Sequence, residues 1–484
     1  MFKGRFVTVS RVLGMLLMME AGFMLLSIGV SLMYDGDDKM ALLYSAILTF
    51  IVGFFLRVPL IKRQTIHIDQ RLGFLIVALI WAIMSAFGAL PLYVGGYASY
   101  TDAYFETMSG FTTTGASVIR DVESLPRGIL FWRQLTNAIG GIGIVVIVIS
   151  FIPFVGGGGM AMFSAEVAGP SKGKLSPHIK KTGSILLSIY VGLIALSTLW
   201  LWIAGMSLYD AVCHSFAALA SGGFSTMNYS GAAYSPLIQY LLVLSMIPSG
   251  INFSLMYYFI KKQYRKIWIN EEIKTYFAAI IVATVVLTAL IYDTSLGLET
   301  SFRHAVFQVV SLITSTGFVN ADFSQWATPA VFLLFLLMFS GAMSGSTTGG
   351  LKIVRIILLF KMGKNILKKS IHSKAVIPVR FEKRIVEKPV LRNVLTMFLL
   401  FLITYICGAL VLIILGIDFV EASGAAVSFL SNMGPGLGKN GGFGNYADFP
   451  LAAKWVGSFL MFAGRLELIT VFVLFMPSFW KRSF

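Results

Sequence analysis

Charged residues are scarce in this chain of 484 residues. Asp, Glu, Lys and Arg together make up 12% of the sequence, whereas hydrophobic residues make up 57%, and the mean hydropathy is +0.82. Soluble domains are on average roughly half apolar and about one quarter charged. The shortage of charge therefore excludes an ordinary soluble protein and indicates that the lipid bilayer is the main solvent of the chain.

Cysteine and common catalytic motifs are also nearly absent. Cys213 and Cys407 have apolar neighbours and no CxxC or Cys/His spacing, which excludes a disulfide framework and a zinc site. The sequence has no GxxxxGK[ST] loop and no HExxH helix. The acidic residues Asp35, Asp37 and Asp38 are typical of a solvated turn. We therefore expect neither an enzyme nor a bound cofactor.

Long apolar runs, in contrast, recur along the whole chain. A helix of about 20 apolar residues spans the ~30 Å hydrocarbon core of a bilayer, and ten candidate spans can be recognised, with no soluble domain left over. Glu20 lies in the first of them and is assigned no role. The predicted spans are 12–34, 40–60, 72–95, 128–154, 183–205, 235–260, 273–292, 328–362, 390–416 and 451–478.

Positive charge is distributed unevenly between alternate loops. The net charge is +16, and 30 of the 38 Lys and Arg residues fall near the two termini or in every second loop. This distribution follows the positive-inside rule, so we predict that both termini are cytoplasmic, and it gives no reason to expect nucleic-acid binding. The longest basic segment, 361–392, would act as a topology signal alone or would also bind anionic lipid or a cytoplasmic partner.

Four apolar segments between the predicted spans share one pattern. In each, an alanine precedes a glycine by twelve residues. The segments begin at Asp102, Asp210, His304 and Glu421, which we expect to cap short helices. Non-helical backbone at membrane depth is tolerated only where it is buried in protein or lines a watery cavity, so the four segments predict a shared pore. The segments are 102–115, 210–223, 304–317 and 421–434.

This repeat predicts the architecture of the whole chain. We expect an all-α integral membrane protein in which a unit of span, pore helix, filter loop and span occurs four times around a central pore. Two extra transmembrane helices precede the four units, and the third unit has a broken second helix. The predicted boundaries are 1–71 for the N-terminal helices, then 72–171, 172–266, 267–384 and 385–484 for the pore units.

The four glycine loops, here called L1 to L4, consist mainly of small and hydroxylated residues. Glycine lets the backbone turn its carbonyl groups toward an ion, where they replace the hydration shell. The C-terminal ends of the pore helices add negative dipole ends, which favour cations over anions. The loops are Thr112, Thr113, Thr114 and Gly115 (L1); Ala220, Ser221, Gly222 and Gly223 (L2); Thr314, Ser315, Thr316 and Gly317 (L3); and Ser431, Asn432, Met433 and Gly434 (L4).

These loops resemble those of a known family. FTTTGASV at 111–118, SGGFST at 221–226, NMGPGLG at 432–438 and GRLE at 464–467 are similar to the Trk/Ktr/HKT superfamily of potassium transporters, and most similar to its bacterial TrkH and TrkG branch. The resemblance covers essentially the whole chain. It implies uptake of K⁺, with Rb⁺ as a substitute, through a filter formed by L1 to L4 in the bacterial inner membrane. It also implies a homodimer and a cytoplasmic TrkA-like nucleotide-binding ring.

A run of small residues, SGAMSGSTTGG, interrupts the predicted span 328–362. The glycines Gly341, Gly345, Gly349 and Gly350 favour a hinge or loop over the alternative, a close helix-packing surface. Similar segments in the resembled family act as an intramembrane gate. The resemblance therefore implies that these four glycines form a gate beneath the filter.

Arg465 lies in the middle of the last predicted span. An ionised side chain there costs at least about 3 kcal/mol unless it is paired or faces water. Glu467 is two residues away and thus on another helix face, so we expect each of the two to have a different partner. The resemblance implies that Arg465 sets an electrostatic barrier to cations below the filter, with a buried structural ion pair as the alternative.

A secondary transporter of monovalent cations, coupled to H⁺ or Na⁺, is the main alternative to a channel-like pathway. Internal repeats and broken helices occur in both classes. Parallel repeats around one axis favour the channel-like architecture. The sequence leaves passive and ion-coupled transport open.

Overall fold

The computed structural model describes residues 2–58, 70–151, 179–295 and 297–481, which are mostly helical. The basic residues at 172–178, the boundary between 171 and 172, and the ends of the predicted spans 40–60 and 128–154 lie outside these ranges. The helices are α1 (Phe2–Met33), α2 (Lys39–Arg57), α3 (Gln70–Gly88), α4 (Leu90–Val94), α5 (Tyr100–Phe111), α6 (Arg127–Phe151), α7 (Ile179–Ile203), α8 (Leu208–Ala220), α9 (Pro236–Ser249), α10 (Phe253–Ile260), α11 (Tyr264–Ile269), α12 (Glu271–Ile291), α13 (Gly297–Ile313), α14 (Thr328–Met338), α15 (Ile353–Ile371), α16 (Lys388–Ile414), α17 (Phe419–Ser431), α18 (Leu451–Arg465), α19 (Ile469–Phe475) and α20 (Pro477–Trp480), with 3₁₀ turns at Ser230–Ala233, Phe323–Gln325 and Gly438–Asn440.

Six of the described helices are long and apolar enough to cross a membrane, namely α1, α2, α3 (extended by α4), α7, α12 and α16. Two bent pairs, α9 with α10 and α18 with α19, raise the number to as many as eight. Of the two other predicted spans, 128–154 contains α6, whose helix reaches the edge of a described range, and 328–362 is interrupted. The chain is a multi-span, mostly helical membrane protein.

Two predicted spans that we expected to be continuous are broken. The span 235–260 turns by 101° between α9 and α10, and the span 451–478 turns by 116° between α18 and α19. Asn252 starts α10, because its side chain accepts a hydrogen bond from the N–H of Ser254 at 2.8 Å. Glu467 and Leu468 both have positive φ, which no continuous right-handed helix allows.

The predicted break in span 328–362 is present between α14 and α15. The chain leaves α14, forms a loop and returns, so that Gly341 N–H donates to the carbonyl of Leu351 at 2.8 Å. Ile353 N–H donates to Ala342 O at 3.0 Å and closes the loop again. Residues 341–350 are thus a closed loop between two helices rather than a flexible stretch.

The short helices begin differently from our prediction. Asp102, Asp210 and Glu421 lie in the first turns of α5, α8 and α17, and His304 lies seven residues into α13, so none of the four is the cap. The caps are Ser99, Ser207 and Asp418, whose side chains accept backbone N–H bonds. For α5 and α8 the signal was the serine three residues before the aspartate, because Ser-x-x-Asp is similar to the capping box Ser-x-x-Glu.

Asp38 attaches the N-terminal helices to the rest of the protein. It is fully buried, which corrects our expectation of a solvated turn. Its carboxylate accepts from the N–H of Ile129, at the start of α6, at 2.7 Å and from the hydroxyl of Ser31. Helix α1 packs against α2, α3 and α6.

Among the described residues, a small β-hairpin departs from the all-α prediction. Strands β1 (Arg380–Phe381) and β2 (Arg384–Ile385) pair in antiparallel orientation. Glu382 and Lys383 between them both have positive φ, as a type I′ turn requires. The hairpin is tied to the start of α12, because Glu271 accepts from the N–H of Glu382 at 2.9 Å.

Candidate functional site

The four loops L1 to L4 have the same backbone conformation. The second residue of each loop has a left-handed φ, which is uncommon for residues other than glycine. The glycine that ends each loop also has a positive φ. The values are 52° and 80° for Thr113 and Gly115, 56° and 64° for Ser221 and Gly223, 47° and 82° for Ser315 and Gly317, and 51° and 102° for Asn432 and Gly434.

The same hydrogen bond ends the helix before each loop. The third residue of the loop donates its N–H to a carbonyl five residues earlier, as in a Schellman motif. The C-terminal ends of the four helices, and with them their negative dipole ends, therefore lead directly into the loops. The bonds run from Thr114 to Ser109 (2.8 Å), Gly222 to Ala217 (2.8 Å), Thr316 to Ser311 (2.8 Å) and Met433 to Ser428 (3.0 Å).

Each terminal glycine packs against the backbone of the next loop. A Cβ atom at any of the four positions would be too close to a carbonyl oxygen of that loop, so only glycine fits there. The contacts run from L1 to L2, L3 and L4 and back to L1, and the four loops therefore surround one axis. The contacting pairs are Gly115 with Gly222 O, Gly223 with Thr316 O, Gly317 with Met433 O and Gly434 with Thr114 O.

The polar side chains of L1 and L4 are uncharged and closely packed. The hydroxyls of Thr112 and Thr114 lie 2.8 Å apart, and Asn432 donates its amide to the Thr114 hydroxyl at 3.0 Å. The hydroxyls of Thr113 and Ser431 and the side-chain oxygen of Asn432 are buried and have no hydrogen-bond partner among the described residues. Buried polar atoms of this kind require water or an ion as a partner.

A cavity of about 110 Å³, here called the vestibule, touches all four glycines at one end of the ring. Arg120, Asn228 and Tyr446 contribute to its wall. The side-chain amide of Asn228 donates to Asp121 at 2.8 Å and holds the pKa of that carboxyl below its usual value, so Asp121 stays ionised near the vestibule.

The loop 341–350 lies at the other end of the ring. The N–H of Gly349 donates to the hydroxyl of Ser315 at 2.8 Å, and a Cβ at Gly349 would overlap the carbonyl oxygen of Ser431. Gly345 and Gly350 have positive φ, and the backbone of Gly341 contacts that of Gly349. The four glycines predicted for a gate are therefore in one loop that contacts L3 and L4.

Arg465 connects this loop to α6. Its guanidinium donates to the carbonyls of Thr347 at 2.7 Å and Gly140 at 2.9 Å. Glu467 instead pairs with Arg355, 2.6 Å away. The prediction that Arg465 and Glu467 have different partners is confirmed. Lys352, also buried, donates to the carbonyl of Thr348 in the same loop.

Sequence reasoning missed two further contacts. Glu272, in the first turn of α12, accepts from the N–H of Ser344 at 2.8 Å and from its hydroxyl at 3.1 Å. Glu106 on α5 pairs with Arg133 on α6 at 2.6 Å, and both side chains are buried. The available signal was the presence of carboxylates in or beside apolar helices, because such residues are costly in a membrane and need a partner.

Comparison with known proteins agrees with this geometry. The model of the TrkH family, described as cation transport protein, matches residues 39–482. Trk system potassium uptake protein TrkH of Salmonella typhimurium is 36% identical over 487 residues, which cover 99% of this chain and 100% of that protein. The TrkH protein of Halomonas elongata is 37% identical, over 98% of this chain and 99% of that protein.

A solved structure also matches nearly the whole chain. The crystal structure of the potassium transporter TrkH from Vibrio parahaemolyticus has a TM-score of 0.88 at 32% identity, covering 98% of this chain and 100% of that one. Fold and sequence together define a membrane transporter rather than an enzyme. The chain belongs to the TrkH family of cation transport proteins, as its loop motifs led us to expect.

Proposed function

We propose that this chain takes up K⁺ across the bacterial inner membrane through a filter formed by L1 to L4. The observation that carries the proposal is the closed ring of contacts in which each glycine packs on a backbone carbonyl of the next loop. The relatives named as potassium uptake proteins support the choice of ion.

The chemistry of the ring suits a partly dehydrated monovalent cation. Carbonyl and hydroxyl oxygens replace water around the ion, and the C-terminal ends of α5, α8, α13 and α17 supply a negative potential. L1 to L4 contain no titratable side chain, so binding stays weak enough for the ion to leave. In this arrangement the four predicted units of span, pore helix, loop and span each contribute one quarter of the filter.

The loop 341–350 is proposed as the gate. Its contacts with Ser315 and Ser431 support a position at the end of the ring opposite the vestibule. Arg465 holds the loop through Thr347 O and adds a positive charge to the path of the ion. Opening requires the loop to move away from L3 and L4 and Arg465 to exchange its carbonyl partners.

The control of the gate is proposed to come from outside the chain. A cytoplasmic TrkA-like ring that binds nucleotide would act on the cytoplasmic side, where the basic segment 361–392 and both termini are expected from the charge distribution. The active form is proposed to be a homodimer in which each copy has its own pore.

The decisive experiment is ion flux into proteoliposomes that contain the purified chain. We expect uptake of K⁺ and Rb⁺ well above that of Na⁺, driven by the ion gradient alone. Gly223→Asp should abolish it, because a side chain there overlaps the carbonyl of Thr316. Uptake that needs an imposed H⁺ or Na⁺ gradient would favour a coupled transporter, and uptake insensitive to Gly223→Asp would refute the filter.

A further inference from the structure

The residue nine positions before each terminal glycine lies on a pore helix, behind the filter. In the first three repeats this residue is polar, and in the fourth it is Ala425. Glu106, His214 and Gln308 are 1%, 0% and 0% exposed. Since polar groups are buried at this depth only with partners, their contacts indicate what they hold in place.

Glu106 holds the chain that leaves L1. Its carboxylate accepts from the hydroxyl of Ser117 at 2.9 Å and from the N–H of Val118 at 2.9 Å, two and three residues after Gly115. The third donor is the guanidinium Nε of Arg133, at 2.6 Å. The carboxylate thus holds the segment that follows Gly115 through bonds from Ser117 and Val118.

Arg133 extends this contact to L2. Its Nη1 donates to the carbonyl of Ser225 at 3.1 Å, and its guanidinium lies 3.5 Å from the centre of the Phe224 ring. Phe224 and Ser225 follow Gly223 directly. The ion pair therefore connects the two chain segments that follow Gly115 and Gly223.

Other side chains contact the segments that follow L2 and L3, and L4 itself. His214 contacts the hydroxyl of Ser225 at 3.1 Å, and Gln308 donates to Asn320 at 3.2 Å. In the fourth repeat, the hydroxyl of Tyr446 donates to Gly434 O at 2.9 Å instead. Among the ion pairs of the described residues, Glu106–Arg133 alone has both side chains below 5% exposed.

We propose that Glu106 and Arg133 are positioning residues that determine the ion selectivity of the filter by fixing the distance between L1 and L2. This inference rests on the proposed filter. A ring of carbonyl oxygens distinguishes K⁺ from the smaller Na⁺ only as far as the ring resists contraction around Na⁺. A buried ion pair with three further hydrogen bonds to the segments after L1 and L2 provides that resistance. Removal of one partner leaves the charge of the other uncompensated.

The test is the ratio of K⁺ to Na⁺ flux in proteoliposomes for Glu106→Gln. The amide of glutamine cannot accept from both Val118 and Arg133, so one of the two bonds is lost. We expect the ratio to fall by about tenfold, through a gain in Na⁺ flux rather than a general loss of transport. Arg133→Lys, which keeps the charge but loses the bond to Ser225 or to Glu106, should lower the ratio less.

Glu299→Gln is the matched control. Glu299 pairs with Arg303 on the same pore helix, at 2.9 Å, but its side chain is 60% exposed, so the ratio should stay at the value of the unaltered protein. If Glu106→Gln does not give a stable protein, Arg133→Lys alone decides. A changed total flux with an unchanged ratio in the stable variants would overturn the proposal, whereas an unaltered protein without K⁺ preference would refute the filter itself.

Discussion

Gly115 illustrates how tightly single residues are constrained in the ring. Its φ is +80°, and a Cβ atom would overlap the carbonyl oxygen of Gly222. We expect Gly115→Ser to displace L2 and to lower the ratio of K⁺ to Na⁺ uptake by about tenfold. Ion competition against ⁸⁶Rb⁺ uptake in proteoliposomes measures this ratio.

Gly96 provides the matched control for this substitution. It has a similar φ of +72°, but nothing lies within 4 Å of the position of a Cβ. Gly96→Ser therefore carries the same backbone strain without the clash, and selectivity should be unchanged. Equal ion ratios in the two variants would show that contact between neighbouring loops does not determine selectivity.

Arg465 is the second residue for which we predict whether a substitution raises or lowers K⁺ flux. Arg465→Ala removes a positive charge and the bonds to Thr347 O and Gly140 O. We expect K⁺ flux to rise several-fold, because both the proposed barrier and an attachment of the loop 341–350 are lost. Arg465→Lys keeps the charge, so a rise of the same size in that variant would assign the effect to the loop and not to electrostatics. Unchanged flux in both would argue against any role in the ion path.

Residue types and spacing were enough to predict four loops of matching conformation, and to predict that Arg465 and Glu467 have different partners. They did not reveal those partners, because Gly140 and Arg355 are distant in sequence and come close only through packing. The caps Ser99 and Ser207 were missed although their signal is local. We predicted the aspartates three residues later as the caps. In the structure the serine hydroxyls cap the helices and also donate to these aspartates.

At the scale of elements, two helix breaks were missed in the sequence, although Pro248 and Gly250 mark the first of them. The break at 339–352 was expected from its glycines, but the turn of 101° at 249–253 and that of 116° at 465–469 were not. The first depends on Asn252, which also donates to the carbonyl of Ser344 at 2.6 Å. The second places Leu468 in a backbone conformation that only tertiary packing stabilises. Both breaks lie next to the loop 341–350 or to Arg465.

Glu272 links this loop to α12. Its carboxylate accepts both the N–H and the hydroxyl of Ser344, whereas the amide of Glu272→Gln can accept only on its oxygen. We expect the variant to loosen the loop and to raise the K⁺ flux of the chain without its partner severalfold. Flux measured against protein content in proteoliposomes tests this.

Glu271→Gln is the matched control, because Glu271 contacts the hairpin and not the loop 341–350. Glu271 pairs with Lys361 and binds the N–H of Glu382 rather than the loop. Glu271→Gln should therefore leave the flux of the isolated chain unchanged. If both variants raise flux equally, the first turn of α12 acts as a unit and the attachment through Ser344 is not specific.

At the scale of the whole molecule, the orientation in the membrane follows from the charge distribution. Ser124, in the exposed segment after L1, is expected outside, and Ser373, after α15, is expected inside. In a chain whose own cysteines are replaced by alanine, a membrane-impermeant maleimide should label Ser124→Cys in intact cells. Ser373→Cys should react only after permeabilisation, and the reverse result would invert the predicted topology.

The ring of four loops is built from one polypeptide, which has a consequence for variation. In a channel of four identical subunits, one codon change alters all four positions at once. Here a codon change alters one quarter of the ring, and the other three quarters keep their sequence. The third positions already hold three residue types, as Thr114, Gly222, Thr316 and Met433, while every fourth position is glycine. Natural variants of such a chain can thus diverge one quadrant at a time.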